Sequence, residues 1–154
     1  MNSENFKPNK LPSKITKLTS HLNDPSRRGS WSIAKDLPTS FKYASQGLRY
    51  AFKTQRNFRL HIFIGILVGT IGMWLALPVH NLAILVLTIA AVLVLELINT
   101  AIEAVVDLSI GSRFHPLAQI SKDCAAAAVL VASLSSMIVA LLILLPPLLL
   151  RLGI

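Results

Sequence analysis

Polar and apolar positions alternate along this chain on a scale of tens of residues, and the blocks differ in period. Residues 1–38 carry Lys, Ser, Asn and Pro with few large apolar side chains. Such a composition buries too little surface to offset chain entropy, so a disordered basic tail is expected there. From Ser40 to Arg59 the pattern becomes helical. Phe41, Ala44, Leu48, Ala51 and Phe52 recur on one side, Lys42, Arg49, Lys53, Arg56 and Arg59 surround them, and Asp36 to Ser40 supply turn and cap residues. This predicts a basic amphipathic helix over 40–59 lying in a membrane interface. Three apolar stretches follow, at 61–77, 81–108 and 122–150, each long enough to cross a bilayer with help from its flanks. Pro78 closes the first, and Pro146 and Pro147 are expected to break the third near its end. Gly65 and Gly69 form a Gly-x-x-x-Gly pair, which permits close approach of another helix. Ser109 to Ser121 reads as a polar loop holding Gly111, Arg113, His115 and Pro116. The expected fold is therefore an all-α membrane protein, with three transmembrane helices plus an N-terminal amphipathic surface helix, in one domain over 39–154.

The second apolar stretch ends in a break with its own pattern. Glu96, Asn99, Glu103 and Asp107 follow an uncharged run from Leu82 to Leu95. At about 100° per residue these four fall within an arc of roughly 80°, while Ile98, Ile102, Val105 and Val106 lie elsewhere. The stripe is about 16 Å long at the helical rise. Ionisable groups at membrane depth are costly and mark ion, proton or substrate sites. A polar seam between helices is the structural alternative, but three carboxylates in register repel one another unless protonated or bridged by a cation. The stripe reads as a site.

Charge then orients the spans. The net charge is +8, and 53% of the residues are hydrophobic against 14% charged. Twelve of the fifteen Lys and Arg residues precede His61, and only Arg113, Lys122 and Arg151 follow it. Beside membrane spans, a basic segment fits the anionic cytoplasmic leaflet better than nucleic acid, and no nucleic-acid partner is expected. The connection around Pro78 to Asn81 has no basic residue. By the positive-inside rule the N-terminus and the 109–121 loop face the cytoplasm and the C-terminus faces out, as expected of an integral protein of the plasma membrane. The stripe then lies at the cytoplasmic boundary, within reach of nucleotides. A lone Cys124 among alanines excludes an internal disulfide and reads as a small packing residue. The N-terminal stretch lacks the apolar core of a signal peptide.

Carboxylates near a basic loop at an interface suit metal-dependent chemistry on a polar head group. Mg²⁺ prefers a few oxygen ligands plus phosphates, and a carboxylate can accept a proton from an attacking hydroxyl. Lys122-Asp123 could set an ammonium against phosphate, with the aspartate positioning it. No Gly-x-x-x-x-Gly-Lys-Ser/Thr loop, Gly-x-Gly-x-x-Gly loop or His-Arg-Asp loop is present. A proton- or cation-coupled transporter subunit is the alternative reading, but it favours acids near the midplane and repeated halves.

The segment Glu96-Leu-Ile-Asn99-Thr-Ala-Ile-Glu103-Ala-Val-Val-Asp107 is similar to the signature of the prokaryotic diacylglycerol kinase and undecaprenol kinase family. Asn57-Phe58-Arg59-Leu60-His61, His115-Pro116-Leu117-Ala118 and Lys122-Asp123 follow the family order, and the resemblance covers Ser40 to Ile143. It implies a homotrimeric membrane enzyme that moves the ATP γ-phosphoryl group to a lipid hydroxyl using Mg²⁺. On that resemblance Glu96 takes the place of the catalytic base, Asn99 orients groups near the transferred phosphate, and Glu103 is a Mg²⁺ ligand. Lys122, Asp123, His115, Asp107 and Tyr43 match the nucleotide-binding side, and Arg49, Phe58 and Arg59 the meeting of surface helix, lipid and phosphate. Gln55 stands where the family commonly has a second metal-binding glutamate; its neutral carbonyl oxygen could still coordinate with one charge fewer. The 57–61 and 115–118 segments lean towards the branch that includes undecaprenol kinases.

Overall fold

The computed structural model describes residues 37–111 and 113–153. The expected tail lies outside them except for Leu37 and Pro38, which open the first helix. Among the described residues the fold is all-helical: α1 (Leu37–Thr54), α2 (Arg56–Trp74), α3 (Val79–Ile110) and α4 (Pro116–Leu152). The last three are each long and apolar enough to cross a membrane, so the all-α membrane fold expected from the sequence is the one observed.

α1 carries an exposed apolar edge, since Leu37, Phe41, Leu48 and Phe52 project from it and fall within about 60° of one another at the helical period. The single helix expected over 40–59 is divided at Gln55, whose backbone is extended (φ −97°, ψ 114°). Arg56 to Leu60 therefore belong to the first spanning helix, not to the surface helix. Arg59 closes the break: its Nη1 donates to the carbonyls of Phe52 at 3.0 Å and Lys53 at 3.3 Å. A helix end leaves carbonyls without intrahelical partners, and a basic side chain is one way to satisfy them. Ala51 and Phe58, on either side of the break, are both buried.

At the other end of α2 the chain turns through Leu75 to Pro78. The Leu77 N–H donates to Gly72 O and the Ala76 N–H to Met73 O, the paired bonds of a Schellman cap. Ala76 occupies the left-handed position with φ 52°, where glycine is the usual residue. The turn folds Leu75 and Leu77 onto Leu85, and Val68, Ile71, Leu82, Ile143, Leu144 and Leu148 pack around them. All three spanning helices contribute to this cluster. Arg151, in the last turn of α4, fastens the same end, donating to Trp74 O at 2.8 Å with its guanidinium 4.4 Å from the centre of the Trp74 ring.

Gly65 and Gly69 differ in role. A Cβ at Gly65 would meet Ile89 Cγ2 at 2.8 Å, whereas one at Gly69 would meet nothing within 4 Å. The second close approach is at Gly72, with Leu82 Cδ2 3.0 Å from an added Cβ. The α2–α3 contact thus repeats after seven residues, two helical turns, rather than four.

Two further boundaries differ from expectation. The polar loop expected over 109–121 is reduced to Gly111 to His115, because α3 runs to Ile110 and α4 starts at Pro116. Proline at the first helical position removes an N–H that would have had no partner, and the His115 ring Nδ1 accepts from the Leu117 N–H. Pro146 and Pro147 do not end α4, which continues to Leu152. In hydrocarbon a chain that left the helix would expose more polar groups than the two prolines free, so proline is tolerated inside spanning helices.

Candidate active site

Depth follows from helix length. Glu96 lies seventeen residues beyond Val79, about 26 Å along α3, close to the ~30 Å thickness of a bilayer core. Glu103 and Asp107 lie further out on the same axis. A bilayer core measured from the α2–α3 turn would end near Glu96, with Glu103 and Asp107 beyond it.

The stripe divides into an inner and an outer group. In the inner group Glu96 is 3% exposed, and His61, from the second turn of α2, places Nε2 3.4 Å from Glu96 Oε1. That oxygen has no hydrogen-bond partner, and neither does the buried Oδ1 of Asn99. Asn99 Nδ2 donates to Glu103 Oε1 at 3.1 Å, one turn further along. Thr100, also buried, turns its hydroxyl back onto the Glu96 carbonyl at 2.9 Å, so it serves the helix backbone and leaves the carboxylate alone. A cavity of about 290 Å³ opens in front of this group, lined by Asn57, His61, Glu96, Asn99 and Ser133 with apolar residues of α2 and α4. His61 and Ser133 also border a larger apolar groove of about 490 Å³ that extends along α2, α3 and α4 to Leu148. Two buried acceptor oxygens without partners are a costly arrangement unless something supplies protons or positive charge to them.

In the outer group Lys122 Nζ donates to Asp107 Oδ1 across the short loop. Lys122 pairs with Asp107 of the stripe, not with its neighbour Asp123, which is exposed. His115 is exposed and caps α4 through its ring nitrogen.

The remaining residues singled out by sequence are distributed as follows. Gln55 is half-buried at the start of α2, and its side chain makes no capping hydrogen bond. Phe58 is 3% exposed, as a packing residue would be. Arg59 spends one guanidinium nitrogen on the end of α1, and Arg49 is exposed on α1. Tyr43 is a half-buried residue of α1. Sequence reasoning placed His61 in the 57–61 family segment but gave it no role. A single histidine at the start of a span carries no periodic signal, and its relation to Glu96 exists only once α2 and α3 pack.

Among the described residues no cluster of three or more His, Cys, Asp or Glu forms a metal cage. The oxygen donors brought together are Glu103 and the unsatisfied Asn99 amide oxygen, tied by the Asn99–Glu103 hydrogen bond. That set fits Mg²⁺, which takes one or two protein carboxylates and completes its shell with water and phosphate.

Comparison with known proteins places the chain in a family. Residues 42–144 match the family model described as prokaryotic diacylglycerol kinase. A diacylglycerol kinase of Synechocystis is 51% identical over 125 residues, covering 81% of this chain and 71% of that protein. An undecaprenol kinase of Bacillus subtilis is 42% identical over 92 residues, or 60% of this chain and 74% of its own length. A diacylglycerol kinase of Escherichia coli is 38% identical over 90 residues, 58% and 73% respectively. The matched region runs from α1 into α4 and contains the whole acidic stripe, its histidine and its lysine: the chain belongs to the prokaryotic diacylglycerol kinase family.

Proposed function

We propose that this protein is an ATP- and Mg²⁺-dependent lipid kinase. It transfers the γ-phosphoryl group to the hydroxyl of a membrane lipid, converting diacylglycerol to phosphatidic acid or undecaprenol to undecaprenyl phosphate. The observation that carries the reading is Glu96, a buried carboxylate with an unsatisfied oxygen in the wall of a cavity between the spanning helices. A lipid hydroxyl lives at the membrane boundary. Both candidate acceptors present a primary hydroxyl there on an apolar body, and the groove leading to His61 offers hydrocarbon a matching surface.

In this mechanism Glu96 accepts the proton of the lipid hydroxyl as its oxygen bonds to the γ-phosphorus and the bond to the ADP oxygen breaks. Asn99 holds Glu103 in place through its amide, and its own buried carbonyl oxygen is left without a partner. Glu103, with Gln55 as a neutral second donor, would hold Mg²⁺, which neutralises charge on the phosphates. Lys122 and Asp107, with Asp123 and His115, form the nucleotide side, and Arg49, Phe58 and Arg59 shape the approach of the lipid. We place the N-terminus and the 111–115 loop in the cytoplasm and the C-terminus outside. Within one chain only 6% of the most apolar window of α4 is buried. That leaves its surface to lipid and to further copies, in keeping with a homotrimer built from the 39–154 domain behind a basic tail. A coupled transporter would have its acids near midplane, whereas these lie at one boundary and beyond it.

The test is transfer of label from γ-labelled ATP and Mg²⁺ to lipid in mixed micelles, with diacylglycerol and undecaprenol offered in parallel. Labelled phosphatidic acid or undecaprenyl phosphate is the expected product. A protein that labels neither of these, nor any alcohol in a total lipid extract, is not a lipid kinase.

A further inference from the structure

Glu96 is sequestered enough that accepting a proton solves only half of each turnover; the proton must also leave. The side chain is 4% exposed, so direct return to bulk water is closed. Within the described residues, the group in ion-pair range of Glu96 is His61, whose Nε2 is 3.4 Å from Oε1. The His61 side chain is itself 21% exposed and lines the cavity of about 290 Å³. The other groups facing that cavity are Asn57 on α2, Asn99 on α3 and Ser133 on α4. None of them exchanges protons near neutrality, and Ser133 is already committed to the Val129 carbonyl. Asn99, whose amide is tied to Glu103, makes no hydrogen bond to Glu96.

We infer that His61 is a positioning residue acting through Glu96: its imidazole takes the proton from the protonated carboxyl and carries it to the cavity after each transfer. The inference rests on Glu96 being the base proposed above. The balance is simple. The lipid hydroxyl proton moves to Glu96 Oε1 as the new O–P bond forms and ADP departs. It then passes from Oε1 to Nε2 of a neutral His61, while the Nδ1 proton leaves to water in the cavity. Tautomer exchange restores the starting ring. No proton, electron or co-reactant is left over. The 3.4 Å separation is longer than a formed hydrogen bond, and such contacts commonly tighten only when substrate is bound.

Three variants test this in the mixed-micelle assay, all checked for assembly by size-exclusion chromatography. His61→Gln keeps an amide within reach of Glu96 but cannot pass a proton. His61→Ala opens a space continuous with the existing cavity, into which free imidazole can diffuse. Glu96→Gln reports on the base itself. The inference predicts that His61→Gln lowers kcat by about tenfold or more, a modest share of the 10²–10⁴ typical of acid–base catalysis. The KM for lipid should change little. His61→Ala should lose at least as much and regain turnover in a saturable way with imidazole, but not with the non-transferring cation tetramethylammonium. Near-wild-type turnover in His61→Gln overturns the relay, as does a loss in His61→Ala that imidazole leaves untouched. If Glu96→Gln is itself active, the proposed base is wrong; if it is inactive while His61→Gln is normal, the base stands and only the relay falls. Should His61→Ala fail to assemble, the His61→Gln kcat decides.

Discussion

Replacing Gly65 with alanine should destabilise the protein, while the same change at Gly69 should not. The two glycines are one turn apart in α2 and look alike in sequence. An added Cβ at Gly65 lies 2.8 Å from Ile89 Cγ2, and one at Gly69 lies in open space. Ile89 is β-branched, so its Cγ2 cannot swing aside without leaving its preferred rotamer or moving backbone. Overpacking of that kind costs about 1–3 kcal/mol. Alanine also improves helix propensity by about 0.8–1 kcal/mol over glycine, but that gain applies at both sites and cancels in the comparison. The expected difference between the variants is therefore the overpacking cost alone, about 1–3 kcal/mol, with Gly65→Ala the weaker. Gly72→Ala should fall between them, since the atom it meets, Leu82 Cδ2 at 3.0 Å, is the end of a flexible side chain. Unfolding in mixed micelles by added denaturing detergent, followed by circular dichroism, gives the order. Equal stabilities, or a less stable Gly69→Ala, would refute the packing of α2 on α3, and with it the means by which His61 meets Glu96.

Arg151→Ala removes a charge-assisted hydrogen bond to Trp74 O and a guanidinium stacked on the ring. A loss of about 1–2 kcal/mol is expected, with Arg151→Lys restoring only part; an unchanged melting temperature would show that this tie contributes nothing. The Lys122 and Asp107 side chains are 37% and 60% exposed, so a double-mutant cycle with Lys122→Met and Asp107→Asn should give less than about 1 kcal/mol of coupling in stability. The same Lys122→Met should raise the KM for ATP several-fold. A normal KM with a large stability loss would make the pair purely structural. Glu103→Gln should shift the Mg²⁺ requirement upward, and an unaltered metal titration would count against ligation.

The acidic stripe was legible because 3.6-residue periodicity places Glu96, Asn99, Glu103 and Asp107 on one face whatever surrounds them. The spans were legible for the same reason: length and hydropathy are local properties. What was not legible depends on contacts distant in sequence. The break at Gln55 has no glycine or proline to announce it, and it is closed by Arg59 capping the preceding helix. Lys122 chose Asp107 over adjacent Asp123 because successive residues on a helix point apart, while the short 111–115 turn brings α3 and α4 side by side. Pro146 and Pro147 were expected to end α4 on a rule learned from water, where freed carbonyls find solvent partners. In an apolar setting continuing the helix is the better solution. His61 was invisible as a functional residue because its significance lies wholly in the packing of α2 on α3.

The central claim is that a buried carboxylate at the membrane boundary does the chemistry, and Glu96→Gln tests it most directly. Glutamine has nearly the same shape and still fills the space beside His61, so the assembled protein should survive and bind ATP. The account predicts that phosphoryl transfer from labelled ATP to lipid falls by about 10²-fold or more, with assembly and ATP binding unchanged. Turnover within a few-fold of wild type, in a protein shown to carry that substitution, would contradict it.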